Sequence, residues 1–206
     1  SIIATYGLIE HPIWVWEQYP FWEKYLFTLN AGEITTGFVG KIDCYQREAA
    51  LSIGGYDAHA YAQIGGEDAD FHLRLKNIGL IIPTNARVVH LHDLNPNFSF
   101  LQLMEKKKGI ARTYGRLLRL RGFDNGVIGI LVFVLKPVLA IGSLIPPFNT
   151  FFILLLVLFS LWYYRRMYSI LFVGFDYRIL AVPFVSIFFI YYDAFWFFEA
   201  FFRKIK

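Results

Sequence analysis

Apolar and polar residues alternate in short blocks over residues 1–97, and beyond them the apolar residues gather into long runs. Residues 1–30 interleave aromatic and polar positions (WVWEQYPFWEKYLF) and predict a strand followed by an amphipathic helix. The Gly-rich, β-prone stretch AGEITTGFVGKIDCYQREAA leads into a helix near residues 46–52, and the double glycine of GGYD at 54–57 marks a turn. From Glu67 to Asn77 the apolar Phe71, Leu75 and Ile78 share one helix face, with Gly79 as the stop. LIIPTNARVVHLHD then predicts two short strands broken at Pro83. This first part reads as α/β, with strands that need further partners.

From Phe98 the period turns helical and the charge turns basic. Between Glu105 and Arg121 stand Lys106, Lys107, Lys108, Arg112, Arg116, Arg119 and Arg121 against Glu105 alone. Lys108, Arg112, Arg116 and Arg119 are spaced 4, 4 and 3 residues apart and lie on one face. A solvated surface helix is the plain reading. Because an apolar run follows directly, residues 98–125 are expected to form an amphipathic helix against anionic lipid head groups, each basic residue contributing on the order of 1 kcal/mol. Residues 126–206 read as a membrane region. Its apolar runs at 127–145 and 148–164 predict helices of about 25 to 29 Å, near the ~30 Å hydrocarbon thickness. Lys136 sits in the middle of the first run, where a lysine costs about 2.5 to 3.5 kcal/mol, so it needs a partner or a wet cavity, and Pro137 should kink the helix. Arg165 and Arg166 balance the basic cluster before the first run, which makes the pair a hairpin with both ends in the cytoplasm. The aromatic tail at 179–202 holds Pro183, Asp193 and Glu199 and is followed by basic residues; a third span and an interfacial segment are both open.

Composition agrees with this division. Of 206 residues, 56% are hydrophobic and 19% aromatic, yet every histidine precedes residue 126. A net charge of +4 is exceeded by the one basic segment, which directly precedes an apolar run and carries no nucleic-acid-binding motif, so nucleic acid is not an expected partner. The single cysteine, Cys44, excludes an internal disulfide and is expected as a small buried residue. No signal-peptide pattern follows Ser1, and the chain is expected to begin inside a domain.

The stretch GGEDADFHLRLKNIG, residues 65–79, concentrates the candidate chemistry. Glu67, Asp68 and Asp70 gather at a helix start, where acids stabilise the helix by about 0.3 to 1 kcal/mol each through its dipole. A capped surface helix is one reading. An acid–base centre is the other, favoured by the glycines beside it and by His90 and His92 at a strand end.

In order, YQREAA, GGYD, GEDADFHLRLKNIG and VVHLHD resemble the C-terminal half of the GT-A catalytic domain of family 2 glycosyltransferases, over roughly residues 37–93. The resemblance implies a partial GT-A-like, Rossmann-related α/β domain over residues 1–97, followed by an α-helical membrane region. It implies transfer of a sugar from a nucleotide-sugar donor to a polyprenyl-linked or other glycan acceptor, with inversion, at the cytoplasmic face of the cell membrane. Asp68 matches the catalytic base and Glu67 its acidic neighbour. Gly54, Gly55, Tyr56 and Asp57 match the glycine turn, the stretch from Gly37 through Gly40 to Lys41 matches the cleft lining, and Asp70 and Arg74 fall with the substrate-binding residues. His90, with His92 as the alternative, matches a histidine that helps hold a divalent cation, Mg²⁺ or Mn²⁺. Two departures stand out. No DXD motif precedes Asp68 and the nucleotide-binding half has no counterpart, so this chain alone is expected neither to bind a nucleotide sugar nor to be active. The QxxRW signature is replaced by KKKGIARTYGR, which favours transfer of one or a few sugars over polymerisation. Outside the resemblance, a non-catalytic membrane scaffold is the alternative, and a channel or transporter subunit built on Lys136, Asp193 and Glu199 ranks below it.

Overall fold

The structure is a computed structural model describing residues 1–37, 40–61, 65–91, 95–122, 128–171 and 176–203. Its elements run β1 (Ile2–Glu10), α1 (Ile13–Trp16), α2 (Phe21–Phe27), β2 (Ile34–Thr36), β3 (Asp43–Tyr45), α3 (Arg47–Ser52), α4 (Glu67–Lys76) and β4 (Leu80–Val89). There follow α5 (Phe100–Arg121), α6 (Ile128–Gly142), α7 (Asn149–Tyr163), α8 (Arg165–Leu171), a 3₁₀ turn (Tyr177–Ala181) and α9 (Val182–Phe202). They form two compact units: Ser1–Pro20 with Asn30–Phe98, and Phe21–Leu29 with Ser99–Lys206.

In the sheet unit β1 is central. It pairs in parallel with β4 along its length. Its other edge takes β3 antiparallel at Ala4–Tyr6 and β2 antiparallel at Leu8–Glu10. Parallel pairing requires a crossover, and α3 and α4 supply it. They pack on β1 through a core of Ile3, Ala4, Ala49, Phe71 and Leu75, with Tyr6, Ile53 and Ile81 against it. Three expectations change here. β4 runs unbroken through Pro83, because the ladder shifts register beside it: Tyr6 faces Pro83 and Leu8 faces Arg87, so the missing N–H falls at an irregularity. Ile78 is exposed, since α4 ends at Lys76 and Leu73 takes the buried place beside Phe71 and Leu75. Cys44 is exposed, because β3 is a three-residue edge strand with only one neighbour in the sheet.

The helical unit is built on α5 and α9, which run in the same direction. Lys107 of α5 meets Asp193, Arg112 meets Glu199 and Arg119 donates to the carbonyl of Phe201. A capping box starts α5: the Ser99 hydroxyl accepts from Gln102 N at 3.3 Å, and Gln102 Oε1 accepts from Ser99 N at 2.7 Å. Small residues then allow close approach, Ala111 packing on Phe197 while a Cβ on Gly115 would strike the Phe197 carbonyl. Leu139 and Ala140 of α6 and Leu156 and Phe159 of α7 close a core with Ile190 and Ala194 of α9. The short α2 belongs to this unit despite its place in the sequence: Trp22 packs on Phe100 and the Tyr25 hydroxyl meets Ser186 at 3.2 Å.

The apolar helices differ in length from the sequence pattern. The helices α6 and α7 have 15 residues each, or about 22 Å, because residues 143–148 form a turn. By length and composition, one helical stretch among the described residues, Tyr177–Phe202, is long and apolar enough to cross a membrane. The arms of the expected hairpin are thus shorter than the tail that follows them.

Candidate functional site

The carboxyl ends of β1 and β4 lie side by side and are followed by His11 and His90, an edge at which ligands bind in open α/β sheets. The imidazoles meet edge to face, centroids 5.0 Å apart, with Nδ1 atoms 3.3 Å apart. His11 Nε2 is 3.0 Å from the Thr35 hydroxyl, and Lys41 Nζ is 3.4 Å from His90 Nδ1. Lysine only donates, so one tautomer assignment satisfies all three contacts. His90 Nδ1 accepts from both Lys41 and His11, His90 Nε2 carries its hydrogen, and Thr35 donates to His11 Nε2. Burial first, and then the Lys41 charge, lowers the pKa of His11 below the ordinary histidine value. Lys41 is itself lowered by burial, with the Asp68 carboxylate pulling in the opposite direction.

Asp68 stands in the first turn of α4, half-buried, its Oδ1 accepting from Ala69 N at 2.8 Å. The helix is entered through Gly66 at φ 96°, a left-handed conformation that a side chain would strain. Gly40, at φ 71°, passes beneath the carboxylate: a Cβ there would sit 3.7 Å from Asp68 Oδ2. Gly40 N donates to Asp43 Oδ2, which holds the turn before β3. Tyr56 stacks on Phe71 at 4.4 Å, and Tyr45 meets the same ring at 5.0 Å. The Tyr56 pKa is pushed up to about 12 by burial, then by its hydrogen bond to Tyr45 and the charges of Asp43 and Asp68, so it remains a neutral phenol. The arrangement is a carboxylate with an aromatic flank that acts on the lysine of a lysine–histidine cluster.

The other predicted site residues divide. Glu67 is exposed beside Asp68. Asp70 and Arg74, expected among the substrate-binding residues, make internal ties. Asp70 is fully buried, accepting from Arg74 Nε at 2.7 Å and Tyr61 OH at 3.2 Å, while Arg74 Nη1 donates to the Ile53 carbonyl at 2.7 Å. Asp57 Oδ1 accepts from Ala60 N at 2.9 Å and shapes the following turn. Gly54 and Gly55 close the end of α3, their amides donating to Leu51 O and Ala50 O. Gly37 follows β2, and His92 lies outside the described residues. The sequence places Lys41 only at the end of the cleft-lining stretch and gives His11 no role. Parallel pairing of the strands ahead of His11 and His90 is the signal that brings them together.

The described residues at this edge do not fit a divalent cation. The Nδ1 lone pair of His90 is taken up by an ammonium and a second imidazole, and among the described residues no group of three His, Cys, Asp or Glu side chains gathers to hold a metal. No step below passes through one.

In the helical unit Lys136 has the partner its position demands. Its Nζ lies 2.5 Å from Asp193 Oδ2, Lys107 Nζ is 3.0 Å from the same oxygen, and all three residues are buried. Tyr163 and Phe189 present ring faces to the two ammonium groups at 4.9 and 5.4 Å. Of the residues expected to face lipid head groups, Lys107 and Arg116 are buried. Arg112 pairs with Glu199 at 3.0 Å, Arg119 donates to the carbonyls of Phe201 and Arg203, and Lys108 meets Glu105 at 3.2 Å and the Trp196 ring. Lys106 stays exposed.

No family model, no curated protein and no solved structure matches this chain.

Proposed function

We propose that the sheet unit carries the acceptor-side chemistry of a membrane-associated, inverting glycosyltransferase similar to family 2. The observation that carries this reading is Asp68, a half-buried carboxylate over Gly40 that faces Lys41 and the Tyr56 flank. A sugar hydroxyl is a weak nucleophile. The Asp68 carboxylate takes its proton as the oxygen attacks the anomeric carbon; the bond to the nucleotide's phosphate oxygen breaks, and the electron pair leaves on the diphosphate. Attack opposite the leaving group inverts the centre. Tyr56, exposed and stacked on the buried Phe71, offers an apolar flank for a sugar ring.

The acceptor is a lipid-linked glycan or polysaccharide precursor, and the chain works at the cytoplasmic face of the cell membrane. Support comes from the apolar stretch Tyr177–Phe202, from the basic residues of α5 and Arg165–Arg166, and from an apolar groove of about 170 Å³ lined by Leu118, Val134, Val138, Ile141 and Phe198. Replacing Asp68 with Asn in the native gene product tests the reading. Transfer to the acceptor should fall on the order of 10²- to 10⁴-fold while donor binding persists. Unchanged turnover would remove Asp68 as the base.

A further inference from the structure

The lysine–histidine cluster is not assigned by the resemblance, which places a metal-holding histidine at this edge. We propose that Lys41, backed by His90 and His11, is an anion cradle that binds a diphosphate directly, without a divalent cation. The inference rests on the glycosyltransferase reading only for the name of its natural ligand, the diphosphate of the donor; binding itself follows from the cluster.

Three observations support it. The groups are donors: an ammonium carries three hydrogens and no acceptor, and the contacts at His90 Nδ1 place that ring's single N–H on Nε2. The cluster stands at the carboxyl ends of β1 and β4, the edge at which ligands bind in open α/β sheets. The cluster also adjoins the proton acceptor, since the Asp68 carboxylate acts on Lys41. The Asp68 carboxylate lies over the Gly40 backbone, whereas the Lys41 side chain reaches to the histidines. An in-line displacement uses both kinds of group, with the base beside the attacking oxygen and positive charge beside the departing one. The Asp68 carboxylate acts on Lys41, and Glu10 and Glu33 belong to the residues whose carbonyls accept from His90 N and His11 N; these acidic groups oppose an anion there. The ammonium of Lys41 thus supplies the charge a metal ion would otherwise bring. The proposal concerns the diphosphate alone; it names no residue for a base or ribose.

The test uses the full chain in detergent with inorganic pyrophosphate and EDTA, followed by ³¹P NMR line width. Pyrophosphate should broaden with the unsubstituted chain. Lys41 is exposed, so Lys41→Met should keep the fold, seen as an unchanged near-UV spectrum, and weaken binding by about tenfold or more. Lys41→Arg should retain binding, Lys41→Glu should abolish it, and Asp68→Asn should bind at least as well. A requirement for Mg²⁺, or indifference to both Lys41→Met and Lys41→Glu, would overturn the cradle. Binding that depends on Lys41, combined with undiminished transfer by Asp68→Asn, would uphold the cradle and reject the base.

Discussion

Two arrangements of lysine and aspartate sit in the two units, and their surroundings are opposite. In the sheet unit Asp68 is half-buried and Lys41 exposed, beside a turn and two strand ends. In the helical unit Lys136, Lys107 and Asp193 are enclosed among helices, with both ammonium groups on one carboxylate oxygen. The same chemistry serves different ends. Charges that water reaches contribute about 0 to 1 kcal/mol to stability, so they are available to a substrate. Enclosed charges fix which helices meet and in what register, because leaving any one unpaired is costly. The α4 helix repeats the contrast within ten residues: Asp68 faces the site, and Asp70, one turn face away, ties Arg74 and Tyr61.

The largest expected effect lies in the bundle. Asp193→Leu leaves two buried ammonium groups without a carboxylate and should cost about 3 to 5 kcal/mol, measured by denaturant unfolding in detergent. Replacing Lys107 and Lys136 with Met in the same chain should recover most of that loss; a full cost without recovery would show that Asp193 acts through something other than these lysines. Asp70→Ala comes next, since Arg74 loses its buried partner, at about 3 kcal/mol in hydrogen-exchange protection of α4. In contrast Lys41→Met should change that protection by less than about 0.5 kcal/mol. A large loss there would make Lys41 structural and erase the comparison. The smallest effect concerns pH. Because the folded His11 is harder to protonate than the unfolded residue, the unfolded state takes up its proton first as pH falls through about 6.5. Protection of β1 should therefore be complete above that pH and weaken below it, and His11→Asn should flatten the dependence.

Much of the local structure is legible in the sequence, whereas the pairings are not. Alternation and glycines give α3, α4 and the start of α5, and the centred charge of Lys136 announces that a partner must exist. That the partner is Asp193 cannot be read, because the two are 57 residues apart and meet only when α6 packs against α9. The spacing of the basic residues on α5 gives the helix but not its surroundings. Lys107 and Arg112 turn to the carboxylates of α9, which are attractive partners wherever two helices run side by side. Strand breaks mislead for a related reason. Pro83 looks like an end because it lacks a donor, but a register shift absorbs that lack and the strand continues. At the site, Asp68 and its glycines are local features. The contribution of Lys41 and the two histidines is set by the parallel pairing of β1 with β4, which joins residues about 80 positions apart by the handedness of a crossover.

The most direct test is a paired measurement on Asp68→Asn in the native gene product: turnover with a lipid-linked acceptor, and thermal unfolding of the same preparation. A fall in turnover on the order of 10²-fold or more with an unchanged melting temperature is the predicted result. Unchanged turnover, or a loss of activity that tracks a loss of stability, would contradict the assignment of Asp68 to chemistry and place it with Asp70 and Asp193 among the residues that hold the fold.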